Sequence, residues 1–322
     1  MAADDNRRMN TSTSGTAGAV RLTDWGILRA RGEDAASFLH GQLTQDVLHL
    51  DAAHARLAGY CSPKGRLLAS FVVVRPAADE IWLACSADLL APALKRLSMF
   101  VLRARCKLDD ASADMAVWGL AGAAAGDWLG DARGQATWSC ARRDEAIAVR
   151  LPAAPTAERW LLLQPCAAPG PALPALDVAQ WAALEVQAGV GRIVAATVDQ
   201  FVPQMLNYEL IGGVDFGKGC YPGQEVVARS QYRGTIKRRT LPFQIDAVAQ
   251  PGDEVFHGDE PDQPAGMVVN VGADPDRGSQ GCSALVEVKL AAVNSGTLAL
   301  GSAEGPRLRP LPLPYKLPAD AP

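Results

Sequence analysis

The stretch DFGKGCYPGQEVVAR, residues 215–229, crowds one cysteine, three glycines, a proline, two cations and an acid–amide pair into a single short segment. Tyr221-Pro222-Gly223-Gln224 suits a type II turn, because proline presets φ at its second position and glycine supplies positive φ at its third. The residues that follow, QEVVARSQY, have helical potential, with Glu225 and Arg229 at i, i+4. Cys220 thus falls on a loop just ahead of a helix start. There the positive end of the helix dipole and the neighbouring Lys218 both favour thiolate. Gly219 and Gly223 strip side-chain bulk from either side, so a reactant can approach the sulfur closely.

Beyond this segment the thiols look ordinary. The chain has 7 cysteines and 4 histidines, without a C-x-x-C pair or an H-E-x-x-H, so neither a structural zinc site nor a thioredoxin-type redox pair is expected, and no metal ligands are assigned. Cys61, Cys85, Cys106, Cys140, Cys166 and Cys282 read as small inert hydrophobes, and the set as reduced cytosolic thiols. No histidine lies near Cys220 in sequence, so a Cys–His pair would need a distant partner. Downstream, Arg229, Arg233, Lys237, Arg238 and Arg239 surround Tyr232 in a local basic stripe. It can meet phosphates or a polyanionic cofactor tail, or serve as a solvated edge.

A net charge of −4 argues against a general polyanion binder, and direct nucleic-acid binding is not expected. With 322 residues, 48 % hydrophobic and 20 % charged, the chain is long enough for two or three packed units. Residues 1–19 are small and polar without an apolar core segment, and read as a disordered extension rather than a signal peptide. No apolar run approaches the ~20 residues that span a bilayer. A cytoplasmic protein without a membrane partner is expected.

The periodicity between these landmarks predicts an α+β protein. A strand and turn are expected over 21–32, a helix over 33–43 with acids in its first turn, and two strands over 55–76 joined at Pro63-Lys64-Gly65. A strand over 80–86, a helix and then a strand within 87–106, and strands near 115–122 and 146–152 follow. The Pro/Ala-rich 165–177 is a loop. Residues 177–193 carry a helix, with Asp177 as N-cap and Gly189 or Gly191 near its end. From 241 to 322 the short strands and Gly/Pro/Asp turns predict a compact β-barrel domain, so that 20–240 forms the main region.

The segment KGCYPGQEVVAR (218–229), preceded by FVPQMLNYELIGGVDF (201–216) and followed by YRGTIKRR (232–239), resembles the signature of the YgfZ-type folate-binding proteins. That family is related to the glycine-cleavage T-protein, an aminomethyltransferase, and includes iron–sulfur maturation factors. FLHGQLTQDV (38–47) and YCSPKGRLLASF (60–71) match its N-terminal motifs. The resemblance implies a T-protein-like fold with a C-terminal β-barrel around a folate-sized channel. It further implies tetrahydrofolate as cofactor, and iron–sulfur client proteins, tRNA-modifying ones included, as partners.

By the family motif, Cys220 is the functional thiol and Lys218 its activator, with Gly219, Tyr221, Gly223, Gln224, Glu225 and Arg229 as motif positions. Gln187 falls where the T-protein has a glutamate that holds the pterin, and Arg233 and Lys237 are further candidates for the cofactor. Aminomethyltransferases also carry an acidic pair near the reacting folate nitrogen. Here no Asp or Glu occurs from Ala52 to Ala78, which argues against methylene transfer of that kind. A folate-dependent enzyme and a non-enzymatic folate-sensing scaffold both stay open.

Overall fold

A computed structural model describes residues 16–130, 132–234, 236–274 and 278–318. The chain starts with β1 (Gly18–Arg21), β2 (Trp25–Arg31), α1 (Ala35–His40), β3 (Ala55–Cys61), β4 (Leu67–Ala77), β5 (Glu80–Ser86), α2 (Ala87–Ser98) and β6 (Lys107–Asp110). Next come β7 (Met115–Ala121), α3 (Ala123–Trp128), β8 (Cys140–Arg143), β9 (Ala146–Ala154), β10 (Ala157–Pro165), α4 (Val178–Gln187) and α5 (Gln224–Tyr232). The last part holds β11 (Arg238–Ile245), β12 (Glu254–His257), β13 (Glu260–Asp274), β14 (Gly278–Lys289), α6 (Leu290–Val293), β15 (Leu298–Leu300) and β16 (Leu308–Pro310).

These strands form three antiparallel sheets, ordered β3-β4-β5-β2-β6, β1-β7-β10-β9-β8 and β15-β12-β13-β14-β11-β16. Alternation along β4 explains how the first two pack. Val72 and Val74 point into a core shared with Ile147, Val149, Leu161 and Leu163 of the second sheet. Phe71 and Val73 point the other way, into a core built with α1, α2 and residues 201–214. In the third sheet a bridge between Ala299 and Arg307 brings the two edges together and nearly closes a barrel. The architecture is α+β, as the periodicity predicts.

Helix α4 joins the barrel to the sheets. Asp177 caps it in a reciprocal box with Gln180, accepting from Ala179 N at 2.7 Å, and Gly189 ends it at φ +68°. Its backbone lies flat on β13: a Cβ on Gly272 would come within 2.5 Å of Ala183 Cα, so only glycine permits the contact.

Several elements depart from the sequence expectation. Residues 99–106 make turns, not a strand, because β6 already occupies the edge of β2 and this segment must reverse the chain to reach it. Glu33 and Asp34 precede α1 and engage Arg105 instead of filling its first turn. The periodicity does not reveal α3, β8 or β10. Trp160 and Leu162 of β10 face one core while Leu161 and Leu163 face another, so its sequence shows no alternation. Residues 1–15, most of the expected extension, lie outside the described residues, and Gly18 and Ala19 belong to β1. Among the described residues no helix is long and apolar enough to cross a membrane.

One buried ion pair ties the barrel to the segment that leads into the cysteine motif. Arg239, at the start of β11, lies 2.8 Å from Glu209, with both side chains under 5 % exposed (3 % and 4 %). Arg239 also donates to Asn207 Oδ1 at 2.9 Å. Burial pushes the Glu209 carboxyl up, opposed by the Arg239 charge. Arg239→Met should therefore cost about 3–5 kcal/mol in urea denaturation, because it strands a buried acid. The double change Arg239→Met/Glu209→Leu should recover most of that loss. A single variant as stable as the wild type would contradict the role of the pair.

Candidate functional site: a clamped thiol loop and a pocket between two sheets

The loop that carries Cys220 is built by contacts between three separated stretches of sequence. Thr44 Oγ1 donates to Gly213 O at 2.6 Å and accepts from Gly59 N at 2.7 Å, while Gln45 Nε2 donates to Gly212 O at 2.8 Å. Asp215 N then donates to Thr44 O at 2.9 Å. The Lys218 ammonium donates to the carbonyls of His40 and Leu43, the latter at 2.7 Å, beside the C-terminal end of α1, where a cation is favoured. It also sits 4.8 Å from the centre of the buried Tyr221 ring.

The turn has the expected form. Gly223 takes φ +80° and ψ 2°, and Gln224 N donates to Tyr221 O at 3.2 Å. Glycine is needed here for space as well: an added Cβ would lie 2.4 Å from Ser62 O and 2.7 Å from Gly65 Cα, in the turn between β3 and β4. Helix α5 follows, pinned by the fully buried Val227 and by Gln204 Nε2 donating to Val227 O at 2.7 Å. No ion pair forms between Glu225 and Arg229; both are exposed.

Cys220 is exposed at the head of this loop. Lys218 is pushed down to about 8 by burial, against the charges of Asp46, Asp215 and Cys220. Its hydrogen bonds run to backbone carbonyls, so it anchors the loop as well as lending charge near the thiol. Of the other cysteines, burial pushes Cys61 and Cys85 up to about 12, Cys140 to about 12 and Cys106 to about 11, so these stay protonated thiols. Cys166 is exposed, with Arg21 Nη2 3.8 Å from its sulfur, and so departs from the reading of a small inert hydrophobe. No group of three His, Cys, Asp or Glu among the described residues could hold a metal ion.

A second feature lies between the two five-stranded sheets. Trp25, Leu57, Val72, Trp138, Arg159, Glu185 and Arg192 are among the residues around a void of about 40 Å³. Glu185 Oε2 is 3.9 Å from Arg192 Nη2, and burial pushes its carboxyl up against the charges of Arg192 and Arg159. Arg159 is pushed down to about 10 by burial. Arg159 Nη1 and Arg192 Nε are buried with no hydrogen-bond partner. Trp138 holds φ +69°, an uncommon conformation for a bulky residue, and its Nε1 donates to Ile211 O at 3.0 Å.

The structure does not bring all the sequence candidates together. The motif from Lys218 to Arg229 does not line this pocket. Gln187 does not either: its Oε1 accepts from Thr156 Oγ1 at 2.9 Å. The acid at the pocket is Glu185, one helical turn beyond the buried Trp181 on the same face of α4, and that spacing is the signal by which sequence could have found it. Arg233 and Lys237 are exposed beyond α5, away from the pocket wall.

The "tRNA-modifying protein YgfZ" of Edwardsiella ictaluri is 35 % identical to this chain over 236 residues, 68 % of each. The chain belongs to the YgfZ family. A protein of the same name from Klebsiella pneumoniae is 31 % identical over 254 residues, 73 % of this chain and 75 % of that one. No protein-family model matches. Among solved structures, the glycine cleavage system aminomethyltransferase T from Bartonella henselae superposes with a TM-score of 0.71 at 16 % identity, covering 93 % of this chain and 86 % of that one. At that identity the likeness establishes the fold, which is the T-protein fold.

The clamp on this YgfZ-family loop yields a direct test. Gly223→Ala must place a Cβ against the Ser62 carbonyl and hold a left-handed conformation that alone costs about 1–2 kcal/mol. A loss of stability at least that large is expected in urea denaturation. An unchanged midpoint would show that the two turns do not press together.

Proposed function

We propose that this chain is a tetrahydrofolate-binding accessory factor that supports the assembly or repair of iron–sulfur enzymes, tRNA-modifying ones included, through Cys220. One observation carries this reading: an accessible thiol stands on a loop that Thr44, Gln45, Lys218 and Gly223 hold rigid. Such a mount suits a group that must meet an incoming partner in one orientation. A single thiolate cannot hold a cluster alone, so any ligation is shared with the partner or with small thiols.

The folate part rests on the T-protein fold and on the chemistry of the inter-sheet pocket. A pterin edge offers N–H donors beside a carbonyl acceptor. Glu185 supplies the acceptors, and the unpartnered Arg159 Nη1 and Arg192 Nε supply donors. Trp25 and Trp138 supply flat walls for a heteroaromatic ring. These residues fit the group, but a void of about 40 Å³ has room for only a water or two, so side chains must yield to admit it. Bound there, tetrahydrofolate would supply one-carbon chemistry. Glu185 takes the pterin-holding role expected of Gln187. Arg233 and Lys237 can meet only what stays outside the pocket, the carboxylate tail.

Transfer of the glycine-cleavage kind is disfavoured, because Glu185 is the one carboxylate among the described residues that line the pocket, and β3 and β4 carry no acid. Rescue of iron–sulfur enzyme activity in a deletion strain tests the assignment. Cys220→Ala should fold and accumulate normally yet fail to rescue; rescue equal to the wild type would overturn the role of the thiol.

A further inference from the structure

A histidine far from Cys220 in sequence lies beside the motif loop in the fold. His40, the last residue of α1, is carried to the motif loop by the Lys218 tether, which bonds the His40 carbonyl itself. Its ring Nδ1 lies 3.0 Å from Asp46 Oδ1. Its Nε2 makes no hydrogen bond among the described residues and lies 3.5 Å from where a Cβ on Gly219 would sit, next door to the thiol. The ring is mostly buried, with 14 % of the side chain exposed. A carboxylate on one ring nitrogen and an open second nitrogen beside a nucleophile are the elements of a Cys–His–Asp relay.

We propose that His40 is the base for Cys220, with Asp46 as the positioning residue that fixes the imidazole so that Nε2 faces the thiol. The inference rests on the reading of Cys220 as the functional thiol and adds the means of its activation. In the step, the S–H bond breaks and its proton moves to Nε2, leaving a thiolate beside an imidazolium. Asp46 stays ionised: the pull of burial on it is outweighed by hydrogen bonds from the His49 ring and backbone N–H and by the charges of His49 and His40. The charged groups around the pair are Asp46 and His49 from the segment after α1, and Lys218 and Asp215 from the motif loop. Lys218 favours the thiolate, and the two acids favour the imidazolium. The step requires the exposed Cys220 side chain to turn toward Nε2 past Gly219, which presents no Cβ.

The experiment is alkylation of the full-length protein by iodoacetamide, followed at the Cys220 peptide by mass spectrometry from pH 5 to 10. The sulfur displaces iodide, so the rate reports the thiolate. The wild type should retain reactivity well below the ~8.5 at which a free thiol ionises. His40→Ala and the more conservative His40→Gln should lose about tenfold at pH 7 and show a single rise near ~8.5. Asp46→Asn should fall between. Profiles of both His40 variants superimposed on the wild type would overturn the proposal, as would a wild type that titrates like a free thiol. The Cys220→Ala rescue assay is independent: Cys220 can prove essential while His40 proves irrelevant, and the two failures are told apart.

Discussion

A single ammonium group sets the geometry on which the candidate site depends. Lys218 reaches from the motif loop to two carbonyls at the end of α1, and its charge is sustained there by the carbonyl dipoles, the Tyr221 ring and two nearby acids. Burial opposes that arrangement and pushes the ammonium down to about 8. The neighbouring contacts act on the same loop. Thr44 and Gln45 bond the Gly213 and Gly212 carbonyls at the root of the loop, and Gly223 presses on the Ser62–Gly65 turn at its far end. Lysine is thus structural and electrostatic at once.

The inter-sheet pocket and the thiol loop are separate in space but connected by bonds. Trp138, on the pocket wall, donates to Ile211 O, and the next two carbonyls are those clamped by Gln45 and Thr44. A ligand that displaces Trp138 from its left-handed conformation would release that bond at the root of the loop. A short run of bonded residues, 211–213, thus joins the wall of the pocket to the loop that carries Cys220.

How much of this was readable in the sequence depended on whether the determining contacts were local. The type II turn at Tyr221–Gln224, the Asp177 cap and the hairpin around Lys64 depend on adjacent residues, and the sequence shows each of them. Strand β10 did not show itself, since burial on both faces erases the alternation that marks a strand. Glu185 was masked by Gln187: the family motif points to the residue before Ala188-Gly189, whereas helical geometry turns Glu185 to the pocket and Gln187 to Thr156. The placement of His40 beside the motif loop was not readable from sequence, because the contacts that bring the loop to the end of α1 are all long-range.

The central claim is that the pocket between the two sheets takes a reduced folate. It is tested most directly by titrating the purified protein with tetrahydrofolate, reading heat and intrinsic tryptophan fluorescence, since Trp25 and Trp138 form the walls. Saturable binding with a fluorescence change is expected, weakened at least about tenfold, or 1.4 kcal/mol, by Glu185→Leu. No binding at millimolar ligand, or binding untouched by Glu185→Leu, would contradict the account.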